Sequence, residues 1–198
     1  MQPKPTLYLI DGSAYIHRAY HAIRGLSNSK GLPTNAVFGF TRILLKLIQD
    51  RSPVYAAMLF DAKGPTFRHD MYQDYKANRP PMPEDLAMQI PYIKEVTKGF
   101  NLPVIEKTGY EADDLIGTLA RLAESAGYTV VIVTGDKDFM QLVQPGVRMM
   151  KPSKGEIEIL DESQTGWGWQ ERSVSLALWA GQEVMVSLAS VDGPAGDH

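Results

Sequence analysis

Three short apolar runs, each bounded by polar residues, recur along the chain at positions 7–10, 56–60 and 130–133. Each run has four or five residues and lacks the strict alternation of a half-exposed strand. Continuous apolar runs of this length are typical of strands that are buried on both faces of a parallel sheet. The pattern therefore predicts three central strands.

Helical periodicity separates these runs. Apolar residues recur at helical spacing over 36–48 and 112–126, with Gly127 at the position of a C-terminal cap, and more weakly over 86–100. Strands that alternate with helices predict an α/β fold with a mostly parallel central sheet and flanking helices.

Acidic residues follow the predicted strands or open the helix that comes before the third strand. Because the carboxyl ends of parallel strands meet at one edge of a sheet, where ligands bind, we expect these side chains to lie together. The seven residues are Asp11, Asp61, Glu111, Asp113, Asp114, Asp136 and Asp138.

Taken singly, each of these acids is also typical of a turn or a helix cap. Taken together they would repel one another, since two carboxylates ~5 Å apart repel by roughly 3 kcal/mol at an effective dielectric constant of about 20. A divalent cation would relieve that repulsion, and carboxylate oxygens suit Mg²⁺ or Mn²⁺. Two such ions suit the hydrolysis of a phosphodiester.

A polar and aromatic segment at 64–83 carries the matching positive charge. Arg68, Lys76 and Arg79 are interleaved there with aromatic residues that include Tyr75. Lysine and arginine near a metal site suit a phosphate backbone, and a tyrosine can stack on a base. The alternative is an ordinary solvated, charged loop.

Composition narrows the possible chemistry. The 198 residues include no cysteine, which excludes disulfides, thiolate metal sites and a cysteine nucleophile. The net charge is −3, which does not exclude nucleic acid because local patches matter more than totals. No apolar run approaches the length of a bilayer span, and the N-terminus does not resemble a signal peptide. We therefore expect a cytoplasmic protein with no membrane partner. We also expect a monomer, since nothing in the sequence requires an oligomer.

Four segments resemble one family: IDGSAYIHRAYHA, LFDAKGPTFRHDMYQDYKANRPPMP, GYEADDLIGTLA and TGDKDFMQLV. They are similar to the 5′-nuclease domain at the N-terminus of bacterial DNA polymerase I, which is similar in turn to flap endonucleases and phage 5′-exonucleases. The resemblance runs in register from about Leu7 to Glu162. It implies a PIN-like 5′-nuclease fold with a helical arch over about 64–100.

The resemblance also implies roles for individual residues. The seven acids match the metal-site acids of the family. The residues that the resemblance assigns as catalytic are Asp113, Lys76 and Arg79. Lys76 and Arg79 match the arch residues that contact the scissile phosphate and the threaded 5′ strand, while Arg18 and Tyr20 match positions close to the active site. The residues expected to bind DNA are Arg18, Tyr20, Arg68, Tyr75, Lys76 and Arg79.

The implied activity is the removal of RNA primers and 5′ flaps by two-metal-ion hydrolysis with Mg²⁺ or Mn²⁺. The implied partners are DNA with a 5′ flap, nick or free 5′ end, and RNA primer–DNA hybrids.

The sequence departs from the family pattern after Glu162. Every lysine lies at or before Lys154, whereas every tryptophan lies after residue 163. The GDxSDN-type motif of the family, with its further metal-site aspartates, and the helix-hairpin-helix that grips duplex DNA are not found. We therefore expect a catalytic core at 1–163 and a divergent tail at 164–198 that is out of frame or poorly packed, with the second metal site short of ligands.

Three other functions fit parts of the pattern. The first alternative is a catalytically impaired fragment that binds metal and branched or single-stranded DNA. A PIN-type ribonuclease would share the acidic edge, although the long basic segment argues against it. A phosphatase acting on small phosphomonoesters would have no use for that basic segment.

Overall fold

A six-stranded sheet with the strand order β3-β2-β1-β4-β5-β6 organises the chain. The computed structural model describes residues 4–152 and, by their backbone alone, three later strands. Five strands of the sheet are parallel and β6 pairs antiparallel with β5. The strands are β1 (Thr6–Asp11), β2 (Tyr55–Leu59), β3 (Val104–Ile105), β4 (Thr129–Val133), β5 (Val147–Pro152) and β6 (Ile157–Leu160).

Six α-helices and one 3₁₀ helix connect the strands. They are α1 (Gly12–Ala22), α2 (Asn35–Arg51), α3 (Phe67–Met71), α4 (Glu84–Ala87), α5 (Ile90–Gly99), α6 (Ala112–Ser125) and the 3₁₀ helix Lys137–Leu142. The three predicted strands and the predicted helices at 36–48 and 112–126 are confirmed, and so is the α/β class with a mostly parallel sheet. Helix α1 was not predicted because His17, Arg18 and His21 interrupt its apolar pattern.

Alternating side chains of the strands build two cores, one on each face of the sheet. In β4, for example, Val131 and Val133 pack with α1, α2 and α5, whereas Val130 and Ile132 pack with α6 and the 3₁₀ helix. The sheet is thus the middle of three layers. Burial on both faces explains why its strands read as continuous apolar runs.

The segment assigned to the arch, about 64–100, divides into two parts. Its second part belongs to the core, because Leu86 of α4 and Ile93 of α5 are fully buried. Its first part, residues 64–83, carries only the five-residue helix α3 and otherwise consists of turns and irregular structure. The predicted continuous helix at 86–100 is accordingly two helices, which meet at Met88 and Gln89.

A buried amide fixes this junction. Gln89 is fully buried, and its Oε1 accepts hydrogen bonds from the backbone N–H groups of Ala36 and Val37 at the start of α2. Its Nε2 donates to Asn35 Oδ1 and to the carbonyl of Asp85, both at 2.9 Å. The network therefore ties the end of the 64–83 segment to the N-terminus of α2.

The predicted tail at 164–198 lies outside the residues whose side chains are described. Of its backbone, β7 (Gln170–Trp179) and β8 (Gln182–Ser190) form an antiparallel pair. The division of the chain at residue 163 stays a prediction. Within the part of the chain that the structure describes, no helix is both long and apolar enough to cross a membrane.

Gly12 tests how tightly the start of α1 packs against β2. A Cβ at this position would lie 2.3 Å from the Phe60 ring and 2.8 Å from the carbonyl oxygen of Leu59. We expect Gly12→Ala to lower the free energy of unfolding by about 1–3 kcal/mol because the buried ring and the backbone cannot both withdraw. Urea unfolding followed by circular dichroism measures this change.

Gly117→Ala in α6 is the matched control. The nearest atom to its added Cβ is Leu142 Cδ1 at 3.6 Å, an ordinary contact. Since alanine favours a helix over glycine, this variant should be as stable as the wild type or up to about 1 kcal/mol more stable. Equal stability of the two variants would contradict the tight packing inferred at Gly12.

Candidate metal and nucleic-acid site

The centre of the site lies where the order of the strands reverses. Strand β1 has β2 on one side and β4 on the other. The chain runs outward from β1 through β2 to β3 and then crosses back to β4 on the opposite side of β1. Such a switch point leaves a crevice at the carboxyl ends of the strands, where open α/β sheets bind ligands. Asp11 ends β1 at this crevice, and Thr134 directly follows β4.

Asp11 is buried and held by two hydrogen bonds. Its Oδ1 caps α1 by accepting from the Ala14 N–H at 2.9 Å, and its Oδ2 accepts from the Thr134 hydroxyl at 2.7 Å. Burial raises the pKa of Asp11, these hydrogen bonds oppose the rise, and the charges of Asp61 and Asp136 add to it. Asp11 therefore lies in a field of neighbouring negative charge.

Asp61 links the end of β2 to the start of α6. It is exposed, and its Oδ1 accepts from the Ala112 N–H at 2.7 Å. Its own N–H donates to the Ser13 hydroxyl oxygen at 3.2 Å. An acid from the second strand is thereby fixed beside both α1 and α6.

Asp113 is the group most affected by the other acids. Desolvation in the crevice comes first, and the negative charges of four neighbours then help raise the pKa of Asp113 to about 7. Its side chain still reaches solvent at the edge. The four neighbours are Asp11, Asp61, Asp136 and Glu111.

Glu111 begins α6 and is paired with the basic segment. Its Oε1 accepts from Lys76 Nζ at 2.6 Å, and its Oε2 accepts from the Tyr75 hydroxyl at 3.1 Å. Lys76 has a φ of 57°, in the left-handed region that non-glycine residues seldom adopt. Lys76, which was predicted to meet a phosphate, is thus paired here with Glu111, an acid that was itself predicted to bind metal.

Asp114 is engaged by a guanidinium group. Arg68 Nη1 and Nη2 donate to its two carboxylate oxygens at 2.7 and 2.6 Å, a bidentate pair. The same carboxylate accepts from the Glu111 N–H at 3.0 Å, and Arg68 also lies over the Phe67 ring. The hydrogen bonds to Asp114 raise the pKa of Arg68 further. The structure therefore gives Asp114 and Arg68 a mutual contact, and their assigned roles in metal and DNA binding stay predictions.

Asp136 lies on the loop after β4, Asp138 lies in the first turn of the 3₁₀ helix that follows, and both are exposed. Asp136 caps the 3₁₀ helix by accepting from the Asp138 N–H at 2.9 Å, and its own N–H donates to the Thr134 hydroxyl at 3.1 Å. The loop therefore brings Asp136 into the electrostatic field of Asp11 and Asp113.

The donor chemistry of this cluster fits a hard divalent cation. All of its donors are carboxylate oxygens, which hard cations prefer. Burial is the main cause that raises the pKa of Asp11 and of Asp113, and the negative charges of neighbouring acids add to it. As the side chains stand, no three acidic or histidine residues among those described are placed to hold one ion together. Of the seven acids, five form no ion pair with Lys76 or Arg68 in the described part of the chain: Asp11, Asp61, Asp113, Asp136 and Asp138.

Three predicted DNA-binding residues have different surroundings. The Tyr20 hydroxyl donates to both carboxylate oxygens of Asp85, at 3.0 and 3.1 Å, and so contacts α4. Arg18 is exposed on α1. Arg79 is exposed, and within residues 4–152 no hydrogen bond or ion pair is found for its side chain.

The sequence analysis overlooked Thr134, Ser13 and Gln89. For Thr134 a signal was available, because aligning the ends of the first and third apolar runs places it beside Asp11. No comparable signal exists for Gln89, because a glutamine in a weakly periodic segment does not reveal partners at residues 35–37.

The raised pKa of Asp113 predicts how stability depends on pH in metal-free buffer. The folded chain holds this proton more tightly than the unfolded chain, in which the ordinary pKa is 3.8. Stability should therefore fall as the pH rises from about 4 to about 7, and the loss should be complete above pH 7. We expect Asp113→Asn to melt above the wild type at pH 8 in EDTA, and the two curves to converge near pH 4.

Asp50→Asn is the control for this profile. Asp50 pairs with Lys46 on the exposed surface of α2 and is not part of the acidic cluster. Its melting temperature should follow that of the wild type at every pH. A constant difference between Asp113→Asn and the wild type from pH 4 to 8 would contradict the inferred crowding of negative charge.

Comparison with known proteins identifies the family. Residues 6–168 match the family described as the 5′-3′ exonuclease, N-terminal resolvase-like domain. A 5′-3′ exonuclease of Aquifex aeolicus is 45% identical over 152 residues, which cover 77% of this chain and 53% of that protein. A DNA polymerase I of Rhizobium leguminosarum is 43% identical over 187 residues, covering 90% of this chain and 18% of that protein. The chain thus spans about half of one relative and less than a fifth of the other, and the second alignment extends past residue 163.

Solved structures support the same fold. The 5′-exonuclease of phage T5 with bound zinc has a TM-score of 0.58 at 20% identity, covering 77% of this chain and 57% of that one. The phage T5 flap endonuclease in a complex with DNA and metal ions has a TM-score of 0.57 at 18% identity, with the same coverage. The expected PIN-like 5′-nuclease fold is confirmed, and the chain belongs to the 5′-3′ exonuclease N-terminal domain family.

Proposed function

We propose that this chain is a metal-dependent, structure-specific 5′ nuclease that hydrolyses DNA phosphodiesters at 5′ flaps or free 5′ ends. The observation that carries the proposal is the gathering of acids from the ends of β1, β2 and β4 around the start of α6, where burial and then the charges of these neighbours raise the pKa of Asp113 to about 7. Membership of the 5′-3′ exonuclease family supports the same reaction class.

In this proposal the acidic cluster holds Mg²⁺ or Mn²⁺. Asp11, Asp61, Asp113 and Asp136 supply the first carboxylates, and Glu111 becomes available when Lys76 leaves it. Bound divalent ions would activate water and stabilise the leaving oxygen of the phosphodiester. Asp114 and Asp138 remain predicted ligands, and the occupancy of a second metal position is part of the proposal. The phage T5 5′-exonuclease with bound zinc and the phage T5 flap endonuclease with bound metal ions support a divalent ion.

The basic segment would bind the substrate. Lys76 and Arg79 present positive charge beside the acidic cluster, and the phosphate backbone of DNA attracts such groups. A phosphate that enters the site would compete with Glu111 for the Lys76 ammonium, whereas Arg79 is already exposed. Tyr75 and Arg18 stay predicted DNA contacts. The DNA complex of the phage T5 flap endonuclease supports this type of substrate.

The wider role follows from the relatives. Removal of flaps and RNA primers during DNA replication and repair suits a domain that is similar to part of DNA polymerase I. DNA with a 5′ flap, nick or free 5′ end and RNA primer–DNA hybrids are the proposed partners. The cytoplasmic location and monomeric state stay predictions.

The decisive experiment uses a 5′-labelled flap DNA incubated with the purified chain and Mg²⁺. We expect cutting near the junction of single and double strands, and no cutting in EDTA. Asp113→Asn should reduce the rate by about 100-fold or more, since changing residues that only support metal ligands already costs about 10- to 100-fold.

The outcomes separate the proposed function from its alternatives. A folded chain that binds Mn²⁺ and flap DNA but leaves the DNA intact would be a non-catalytic binding domain. Preferential cutting of single-stranded RNA would indicate a ribonuclease. Hydrolysis of nitrophenyl phosphate, with flap DNA left intact, would indicate a phosphatase.

Two substitutions in the basic segment test its role in binding the substrate. We expect both Lys76→Met and Arg79→Met to lower the rate of flap cutting at low DNA concentration, because each removes a phosphate contact. Only Lys76→Met should also tighten Mn²⁺ binding, since it releases Glu111. Isothermal titration with Mn²⁺ and single-turnover cutting measure the two effects.

Lys98→Met is the matched control because Lys98 is an exposed lysine of α5 that pairs with Glu95. It should change neither quantity. Unaltered cutting by both arch variants would exclude the segment from substrate binding.

A further inference from the structure

Thr134 occupies the centre of the switch point without being an acid. The residue is fully buried. Its hydroxyl donates to Asp11 Oδ2 at 2.7 Å and accepts from the Asp136 N–H at 3.1 Å. A single hydroxyl therefore uses its one proton and one of its lone pairs to join acids that come from two different strands.

The register between β1 and β4 places Asp11 and Thr134 next to each other. Strands β1 and β4 pair in parallel, and the last pair in register is Ile10 with Val133. The next residues, Asp11 and Thr134, consequently lie side by side at the end of the two strands. Thr134 is held there by its own backbone, since its N–H donates to the carbonyl of Met150 in β5 at 3.1 Å.

The hydroxyl bond completes the positioning of Asp11. The Ala14 N–H holds one oxygen of this carboxylate and Thr134 holds the other, so the rotation of the carboxyl group is fixed. The same hydroxyl accepts a hydrogen bond from the backbone N–H of Asp136, and Asp136 Oδ1 in turn accepts a hydrogen bond from the Asp138 N–H. Thr134 thus begins a chain of hydrogen bonds that runs from the loop carrying Asp136 to the start of the 3₁₀ helix carrying Asp138.

We propose that Thr134 is a positioning residue of the metal site, whose hydroxyl sets the orientation of the Asp11 carboxylate and of the loop that carries Asp136. The inference rests on the proposed metal site and adds a residue that the sequence did not single out. Groups that hold metal ligands in place commonly affect affinity by about 10- to 100-fold although they do not touch the ion.

The ordinary alternative is a buried threonine that only satisfies its own hydroxyl. Thr97 on α5 is an example, since it is fully buried and donates to the carbonyl of Ile93 in the same helix at 2.9 Å. The partners of Thr134 differ, because one is a carboxylate 123 positions away in the sequence. Thr97 therefore supplies a matched control.

The test compares the binding of Mn²⁺ by the full chain and three variants, using isothermal titration and the electron paramagnetic resonance signal of free Mn²⁺. Thr134→Val keeps the shape and loses the hydroxyl, and we expect it to weaken Mn²⁺ binding by about 10- to 100-fold. Thr134→Ser keeps the hydroxyl and should bind Mn²⁺ close to the wild-type affinity. Thr97→Val loses a buried hydroxyl elsewhere and should also bind as the wild type does.

Circular dichroism confirms that each variant is folded before titration. Thr134→Ala replaces Thr134→Val if the valine variant fails to fold, with the same expected loss. Wild-type affinity in the hydroxyl-free variant, or an equal loss in Thr97→Val, would overturn the inference. So would a failure of Thr134→Ser to restore binding.

The readout separates this inference from the proposed nuclease activity. A wild-type chain that binds Mn²⁺ but does not cut flap DNA would overturn the function, and the expected order of affinities would still support the role of Thr134. A wild-type chain that binds no Mn²⁺ would overturn both.

Discussion

Repulsion among carboxylates at the carboxyl edge of the sheet is the constraint on which the arrangement of the surrounding residues depends. Desolvation, together with the negative charges of four neighbouring acids, raises the pKa of Asp113 to about 7. Three kinds of group oppose this repulsion: backbone N–H groups at the starts of α1 and α6, the Thr134 hydroxyl, and the cations Lys76 and Arg68. A cluster that keeps residual repulsion is suited to bind a cation, because the bound ion removes an existing cost.

The two cations of the basic segment act differently. Arg68 grips Asp114 through two parallel hydrogen bonds and lies over an aromatic ring, so its contact is geometrically fixed. Lys76 contacts Glu111 through a single ammonium group on a flexible stem, from a backbone with a φ of 57°. Such a point contact exchanges easily with another anion. The segment is thus held by one bidentate ion pair and one single ion pair, and in the proposed function a phosphate would replace the single one.

Sequence reasoning predicted the three central strands of the sheet and the acids that follow them, because both depend on local patterns. Strands buried on both faces appear as unbroken apolar runs, and Asp11 and Asp61 directly follow two of them. The contacts between Lys76 and Glu111 and between Arg68 and Asp114 were not predictable, since they join positions 35 and 46 residues apart through a segment without periodicity. The division of the segment 86–100 into two helices was not predictable from the sequence either, because it depends on the hydrogen bonds of the Gln89 side chain.

The resemblance of motifs predicts the same role, contact with DNA, for several basic residues. The structure distinguishes these residues by the acidic side chains with which they are already paired. Arg68, Lys76 and Arg79 were all expected to contact DNA, yet they form a series from a bidentate internal ion pair, through a single ion pair, to an exposed side chain. The free energy needed to transfer each cation to a phosphate rises with the strength of the contact that it must leave. Under the proposed function, Arg79 would therefore meet DNA at the lowest cost, Lys76 would first have to leave Glu111, and Arg68 would stay on Asp114 and hold the segment in position.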